Sequence, residues 1–345
     1  MRSLSNPYCG TELTDPGLTE VPYPSVDADA PRALLKRCPH AAVTQLTSAP
    51  DMAAALGVSQ LHIKDERTRM GLGSFKALGA AYVIACDAEE GTARGATYVT
   101  ASAGNHGLSV AAGASAFGAE AVVYLADTVP ESFADRLRSG GAQGVRAGSD
   151  YEASMDAAMQ GAAEMGAVLL SDSSWPGYTA RPHRLMEGYL ALMAEVFEQI
   201  DVPPTHLFLQ AGVGGLAGAC AAMARAHWGD VTRITVVEPE AAPCLIASIE
   251  AGKLVETTGP VSAMGRLDCK VASLIALKGL ARDADNFMTI SEAEGHAGTT
   301  LAASHGFDST PSGAAGVAGL MAAKGTLGLG PDARVLVILS EQSDI

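Results

Sequence analysis

The amino-acid sequence predicts an α/β protein with two open, mostly parallel sheets and flanking helices. Strand-like and helix-like segments alternate along the chain, and hydrophobic residues make up 48% of it against 18% charged residues. The 38 glycines and many alanines favour close packing of helices on sheets. Because 345 residues exceed one small core, we expect two domains. These are a large domain of residues 1–84 and 188–345, and a small α/β domain of residues 85–187.

The first third of the chain contains few regular elements. Residues 1–30 are rich in proline, aspartate and glycine, which predicts an extended arm with little structure of its own. Helices are predicted over 30–36 and 49–56, the second ended by Gly57. A short strand, 61–64, then brings the chain to a glycine-rich stretch.

Strands and helices then alternate regularly, which indicates parallel sheets. In the inserted domain the predicted strands are 96–100, 121–125, 144–146 and 167–170, and the predicted helices are 107–117, 130–139 and 151–165. The large domain resumes with helix 181–199, strand 206–210, helix 216–226, strand 233–238, helix 244–251, helices 291–304 and 312–324, and strand 334–340. Residues 252–287 are expected to be irregular.

Charge and cysteine content exclude several classes of function. A net charge of -15 without lysine or arginine clusters argues against nucleic-acid binding. The six cysteines form no metal-binding pattern, so we expect reduced thiols, no metal and a cytoplasmic location, although Cys244 and Cys269 are a candidate bridge. The N-terminus lacks the apolar core of a signal peptide. The longest weakly polar run, 207–224, contains Gln210 and four glycines and is not a membrane span.

The stretch M-G-L-G-S-F-K-A-L-G-A, residues 70–80, places Lys76 at the start of an apolar helix. Burial and the helix dipole both disfavour an ammonium group there and are expected to lower the pKa of Lys76. A neutral amine attacks carbonyl groups, so Lys76 is a candidate Schiff-base lysine. The alternative is a solvated lysine at a helix start.

Two glycine-containing turns, each between a strand and a helix, are candidate anion sites. The first, S-A-G-N-H-G at 102–107, suits a carboxylate, and the Asn105 side chain can hold a ring hydroxyl. The second, Q-A-G-V-G-G-L at 210–216, suits a phosphate. Gly212, Gly214 and Ala217 also fit G-x-G-x-x-A, and Glu238 ends the next strand, so a dinucleotide site is an alternative. Plain turns are the simplest alternative for either segment.

A carboxylate and a hydroxyl complete the candidate site. Asp172, in S-D-S-S-W-P-G-Y at 171–178, follows a predicted strand, where α/β folds place their ligands. Beside Trp175 and Tyr178 its pKa is expected to be raised, which suits an acid or base, although a turn-capping aspartate is as plausible from local sequence. Ser340 ends the last predicted strand and is a candidate partner for a heterocycle nitrogen.

Taken together, these motifs resemble those of the fold-type II pyridoxal-phosphate enzymes, the tryptophan synthase β-subunit family. The resemblance runs from about residue 44 to the C-terminus and is greatest to the ammonia-lyases of diaminopropionate. Besides the turns above, it includes H-I-K-D-E-R at 62–67, G-L-G-S-F-K-A-L-G at 71–79 and V-V-E-P-E at 236–240.

The resemblance implies a role for each matched residue. Lys76 would bind pyridoxal phosphate covalently, Asn105 would contact its 3-hydroxyl, and Asp172 would act as acid and base. Ser340, or less favourably Ser312, would meet the pyridine nitrogen. The 5'-phosphate would be held by the amides of Gly212, Val213, Gly214, Gly215 and Leu216. The candidate substrate-binding residues are Ser102, Ala103, Gly104 and His106.

The implied reaction is a β-elimination that converts L-2,3-diaminopropionate, or a related β-substituted L-amino acid, to a 2-oxo acid and ammonia. A neutral serine at the pyridine nitrogen favours elimination over transamination. Ala103 departs from the lyase pattern, which has an aspartate there, and instead matches dehydratases of β-hydroxy amino acids. The ending E-Q-S-D after Ser340 also departs from the family. A dehydratase is therefore the second hypothesis, an NAD-linked oxidoreductase the third, and a homodimer is expected.

Overall fold

The computed structural model describes residues 1–343, so Asp344 of the E-Q-S-D ending lies outside the described residues. The strands are β1 (Arg2–Ser5), β2 (Leu46–Ser48), β3 (Gln60–Asp65), β4 (Thr97–Ala101), β5 (Glu120–Leu125), β6 (Gln143–Arg146), β7 (Val168–Leu169), β8 (His206–Gln210), β9 (Arg233–Pro239), β10 (Asn286–Ile290) and β11 (Arg334–Leu339). The helices are α1 (Asp29–Leu35), α2 (Pro50–Leu56), α3 (Lys76–Glu89), α4 (Asn105–Phe117), α5 (Glu131–Ser139), α6 (Tyr151–Met165), α7 (Ala180–Gln199), α8 (Gly215–Trp228), α9 (Cys244–Ala251), α10 (Leu274–Asp283), α11 (Glu292–Ser304) and α12 (Ala315–Ala322).

The strands form two sheets, as the sequence predicts. The larger has the order β1-β10-β9-β8-β11-β3-β2, with parallel inner strands and antiparallel β1 and β2 at its edges. The smaller, β6-β5-β4-β7, is entirely parallel. Its strands all lie between residues 97 and 169. The domain boundaries proposed above stay a prediction.

The inner strands are nearly continuous apolar runs because helices cover both faces of a parallel sheet. Every residue of β8 and β10 is buried, as are the last five of β11. The carboxyl ends of β3, β4, β7, β8 and β11 lead directly into the predicted functional segments. This arrangement brings segments from both sheets to one cleft.

Helix α3, which begins at Lys76, packs against α4 and α7. Its contact with α7 requires glycine on both helices. A Cβ atom on Gly79 would lie 2.7 Å from the Tyr189 ring, and one on Gly188 would lie 2.5 Å from the Leu78 carbonyl oxygen. The backbones approach closely, and this fixes the helix that presents Lys76.

The structure corrects three predictions in the large domain. The N-terminal arm contains β1, which pairs with β10 as an edge strand. Strand β2 pairs with β3 and was not predicted. Residues 252–287 are not irregular throughout, because α10 lies within them. Position 279, in the middle of α10, requires glycine because a Cβ atom there would lie 2.5 Å from the Pro24 ring.

Five residues form a buried charge cluster, and four of them come before the lysine stretch in the sequence. They are Thr44, Lys64, Glu66, Arg69 and Glu195. The Arg69 guanidinium donates to both carboxylates at 2.7–2.8 Å, and the Lys64 ammonium donates to Glu195 at 2.7 Å. The side chains of Lys64, Glu66 and Arg69 are 0% exposed. Since Arg69 lies in the turn before Lys76, the cluster anchors that turn.

The cysteines and the helices bear on two further expectations. All six cysteines are free thiols, so Cys244 and Cys269 do not form a bridge. The Cys244 thiol instead donates to the Gly212 carbonyl oxygen at 3.5 Å. Within residues 1–343, no helix combines the length and apolar character needed to cross a membrane.

Candidate active site

The cleft between the two sheets contains a cavity of about 510 Å³. It is lined by every predicted site residue, including Lys76, Asp172 and Ser340. A larger cavity of about 850 Å³ lies behind α3, between α1, α4 and α7, but none of the predicted site residues lines it. The smaller cavity is therefore the candidate active site.

Lys76 and Asp172 meet in this cavity as an ion pair, Nζ to Oδ2. Their side chains are 22% and 16% exposed, so both are accessible from the cleft. Burial alone would lower the pKa of Lys76, but the Asp172 carboxylate raises it above its ordinary value. The prediction of a lowered pKa was wrong because it omitted this partner, which is 96 residues away in sequence.

The predicted direction for Asp172 was also wrong. Burial would raise the pKa of Asp172, but Lys76 and His106 hold it well below its usual range. Trp175 stacks on Tyr178 with ring centroids 4.4 Å apart, and the Tyr178 hydroxyl donates to the Leu169 carbonyl oxygen at 2.9 Å. These contacts fix the turn that carries Asp172.

The first glycine-containing turn lies at the N-terminus of α4. The Ser102 hydroxyl oxygen accepts from the amides of Gly104 and Gly107, at 3.2 and 3.0 Å. Ser102 thus holds the turn, while the amides of Ala103, Asn105 and His106 have no acceptor within residues 1–343. These three amides, at the positive end of the helix dipole, suit a carboxylate.

The His106 side chain is less available to a substrate than the amides of this turn. Its side chain is buried, and Nε2 donates to the Leu170 carbonyl oxygen at 2.8 Å. Burial lowers the pKa of His106, and its Nδ1 atom has no hydrogen-bond partner among the described residues. A role of His106 in substrate binding stays a prediction, and the ring serves the fold by joining α4 to the end of β7.

The second turn, residues 211–215, lies between β8 and α8. Gly214 has φ of 97°, in the left-handed region that favours glycine. A Cβ atom on Gly212 would lie 2.9 Å from the Cys269 sulfur, and one on Gly214 would lie 2.9 Å from the Ala276 side chain. The amides of Gly212, Gly214 and Gly215 donate to no backbone carbonyl oxygen among the described residues. Free amides at a helix N-terminus suit a phosphate.

The residues of the cavity fit pyridoxal phosphate. They supply an amine, two sets of unpaired amides and, at Ser340, a buried hydroxyl. Gln210 also lines the cavity, and its buried Oε1 atom has no donor among the described residues. The choice of Ser340 over Ser312 stays a prediction, although the Ser312 hydroxyl already accepts from the Arg266 amide at 3.1 Å.

The dinucleotide alternative does not fit. In that reading Glu238 binds a ribose, but its side chain is fully buried. Both carboxylate oxygens instead accept amides at the start of α9, from Leu245 at 2.7 Å and Ile246 at 2.8 Å. Burial raises the pKa of Glu238 to about 8. Glu238 therefore serves the packing of α9 and is not a cofactor ligand.

Sequence reasoning assigned no role to three charged residues in the cavity, Arg266, Asp268 and Glu341. The side chains of Arg266 and Glu341 form an ion pair, Nε to Oε2, at 3.2 Å. Glu341 also accepts from Asn105, whose role was predicted. The only sequence signal was that Glu341 directly follows Ser340 at the end of a predicted strand.

Comparisons with known proteins agree with this geometry. The family model described as "Pyridoxal-phosphate dependent enzyme" matches residues 38–341. Diaminopropionate ammonia-lyase of Salmonella typhimurium is 34% identical over 272 residues, which are 71% of this chain and 67% of that protein. The Escherichia coli K12 enzyme of the same name is 32% identical over 247 residues, 66% of this chain. The chain spans 62% of that relative's length in the alignment.

A similar solved structure is that of diaminopropionate ammonia lyase from Escherichia coli in complex with an aminoacrylate-PLP azomethine reaction intermediate. It superposes with a TM-score of 0.89 at 28% identity, covering 99% of this chain and 93% of that one. The similarity thus extends over both sheets and the cleft between them.

Proposed function

The chain belongs to the pyridoxal-phosphate dependent enzyme family, and we propose that it is an ammonia-lyase acting on L-2,3-diaminopropionate or a related β-substituted L-amino acid. The observation that carries this proposal is the Lys76–Asp172 ion pair. It joins an amine and a carboxylate in a cleft flanked by two helix N-termini. The diaminopropionate ammonia-lyases among the relatives support the choice of substrate.

Each group around the cavity has a role in this proposal. Lys76 holds the cofactor through its amine, Asn105 meets the ring hydroxyl, and Ser340 meets the ring nitrogen. The amides of residues 212–216 bind the phosphate, with the positive end of the α8 dipole behind them. When bound, pyridoxal phosphate supplies an electron sink for the negative charge that develops at Cα.

The substrate is positioned and deprotonated by the residues of the cleft. The unpaired amides at the N-terminus of α4 bind its α-carboxylate. Lys76, as a free amine, removes the Cα proton, and its contact with Asp172 allows that proton to pass to the carboxylate. Asp172 then gives the proton to the leaving β-amino group. The Lys76 ammonium is the main cause of the low pKa of Asp172, so the carboxylate takes up a proton more readily once Lys76 is a neutral amine.

The products test the proposal directly. We expect the protein to convert L-2,3-diaminopropionate to pyruvate with two molecules of ammonia for each pyruvate, since both nitrogens leave. Elimination from L-serine gives one ammonia for each pyruvate. Measuring both products across β-amino and β-hydroxy amino acids identifies the leaving group. The absence of any turnover of the β-amino substrates would contradict the proposal.

Ala103 favours a second candidate, a dehydratase of a β-hydroxy amino acid such as serine, threonine, 3-hydroxyaspartate or phenylserine. Ala103 lines the cavity at the carboxylate-binding turn and brings no acid or base there. For the same reason we propose that the L-isomer of the substrate is preferred. Turnover of D-diaminopropionate at the rate of the L-isomer would contradict the preference for the L-isomer that we infer from Ala103.

We also propose that the enzyme is a cytoplasmic homodimer. Six free thiols support a reducing compartment. Sedimentation equilibrium tests the dimer, and a monomer at micromolar concentration would contradict it.

A further inference from the structure

Glu341 is a buried carboxylate in the wall of the active-site cavity to which neither the sequence motifs nor the proposed reaction assigns a role. Its side chain is 5% exposed. It follows β11 and Ser340, and it lines the same cavity as Lys76 and Asp172. A carboxylate is rarely buried to this extent unless its oxygens are bonded.

Both carboxylate oxygens are bonded. Oε1 accepts from the Thr310 hydroxyl, and Oε2 accepts from the Asn105 side-chain amide at 2.5 Å. Oε2 also pairs with the Arg266 guanidinium at 3.2 Å. Glu341 therefore connects the C-terminal segment to the residue expected to meet the ring hydroxyl of the cofactor.

The backbone around Glu341 is held to the lysine stretch. Glu341 and Ser74 form an isolated antiparallel β-bridge, and the Phe75 amide donates to the Ser340 carbonyl oxygen at 3.1 Å. On its other side, a Cβ atom on Gly313 would lie 2.8 Å from the Glu341 side chain. The carboxylate is thus fixed relative to Lys76.

We infer that Glu341 is a positioning residue that holds the Asn105 side chain in the orientation in which it meets the ring hydroxyl of bound pyridoxal phosphate. The inference rests on the proposed function in requiring that the cofactor be held at Lys76.

The chemistry of the two side chains gives the orientation. A terminal amide rotates easily, so an unrestrained asparagine presents either its oxygen or its nitrogen to a ligand. An ionised carboxylate only accepts hydrogen bonds, so it selects the Nδ2 side of Asn105. Nδ2 carries a second hydrogen, which remains for the ionised ring hydroxyl. Without Glu341, Asn105 loses this preference, and the ionised form of the ring hydroxyl loses its donor.

The experiment titrates cofactor-free protein with pyridoxal phosphate and records affinity and the visible absorption bands, which report ionisation of the ring hydroxyl. We expect Glu341→Ala to bind the cofactor about 10-fold or more weakly, the size of one lost charge-assisted hydrogen bond. Its longer-wavelength band should lose intensity. Glu341→Gln, which keeps an acceptor for Nδ2, should restore most of both properties. Glu341→Asp withdraws the carboxylate by one methylene and should lose both the affinity and the band. It serves as the test if the alanine variant does not fold.

A double-mutant cycle shows whether Glu341 acts through Asn105. In an Asn105→Ala background, the Glu341 substitution should weaken binding by less than about 2-fold, since the group it orients is gone. Thr310→Val serves as a matched control, because it removes the other partner of the carboxylate and leaves Asn105 bonded. Its absorption bands should match those of the wild type.

Two results would overturn the inference. One is that Glu341→Ala keeps the absorption bands and the cofactor affinity of the wild type, even if its melting temperature falls. If Glu341→Ala does not fold, the same result in Glu341→Asp counts. The other is an equal loss of affinity with and without Asn105. Neither depends on the substrate assay, so failure of the inference is distinguishable from failure of the proposed ammonia-lyase activity.

Discussion

Two sets of paired charges lie on either side of the turn that leads to Lys76, and they differ in exposure. In the buried charge cluster, Lys64 and Glu195 are 0% and 5% exposed, and each charge has several partners. In the cleft, Lys76 and Asp172 are 22% and 16% exposed, and their pair lines a cavity. Both sets contain a lysine bonded to a carboxylate.

Access to the cleft, and not the types of residue, separates a structural ion pair from one that can take part in chemistry. The Lys64 ammonium donates to Thr44, Glu195 and Gln199, which saturates its three hydrogens and leaves none for a ligand. Lys76 has a carboxylate partner and an open side. Substitutions in the first set should therefore affect stability, and substitutions in the second should affect catalysis.

The largest effect is expected for Lys76→Ala. Loss of the only lysine among the described residues that line the candidate site should reduce ammonia release by at least on the order of 10³-fold, because both the cofactor anchor and the base are removed. It should also abolish the visible absorption band of the purified protein. Steady-state assays and absorption spectra check this. Turnover within 10-fold of wild type would show that Lys76 is not the reactive amine.

The next effect concerns the buried charge cluster. Arg69→Met leaves Glu66 and Glu195 buried without their guanidinium, so the free energy of unfolding should fall by about 3–5 kcal/mol. Chemical denaturation measures this, and activity normalised to bound cofactor should change far less. Arg37→Ala is the control, because the Arg37–Glu89 pair is more than half exposed and should not change stability measurably. Equal effects of the two substitutions would remove the contrast between buried and exposed pairs.

Asp172→Asn should reduce turnover by about 10²-fold, the usual contribution of a positioned acid or base. The amide keeps the size of the side chain but carries no transferable proton. Because Asp172 is partly exposed, the melting temperature should change little. An unchanged turnover number would reduce Asp172 to a residue that holds its turn.

The smallest effect is a pH dependence of stability. The charged neighbours of Glu195 hold its pKa below the ordinary value despite its burial. A carboxyl group whose pKa is lower in the folded state contributes stability that is fully present above its unfolded pKa and is lost as the pH falls through its folded pKa. Wild type should therefore lose stability below about pH 4.5, the ordinary pKa of a glutamate side chain. Glu195→Gln should lose less over the same range, as melting curves at pH 3–7 would show, and parallel losses would contradict the assignment.

Local patterns in the sequence predicted much of the fold. Apolar runs located β8 to the residue, and Gly57 ends α2 in the left-handed conformation expected of a stop signal. The glycine motifs at 102–107 and 210–216 both lie in the cavity. These features depend on neighbouring residues, so a single sequence contains their signal.

The errors have one cause, which is contact between distant residues. Strand β1 exists because it pairs with β10, and α10, in a segment expected to be irregular, contains Gly279 where the helix packs against Pro24. The pKa of Lys76 depends on Asp172, 96 residues away. Glu341 had no motif of its own and gains its importance from Asn105, 236 residues away.

The central claim is that Lys76 is the amine that holds pyridoxal phosphate. Borohydride reduction of the holoenzyme, followed by peptide mapping, tests it most directly. We expect a single pyridoxyl adduct on the peptide that contains Lys76. An adduct on another lysine, or no adduct in a protein that carries the cofactor, would contradict it.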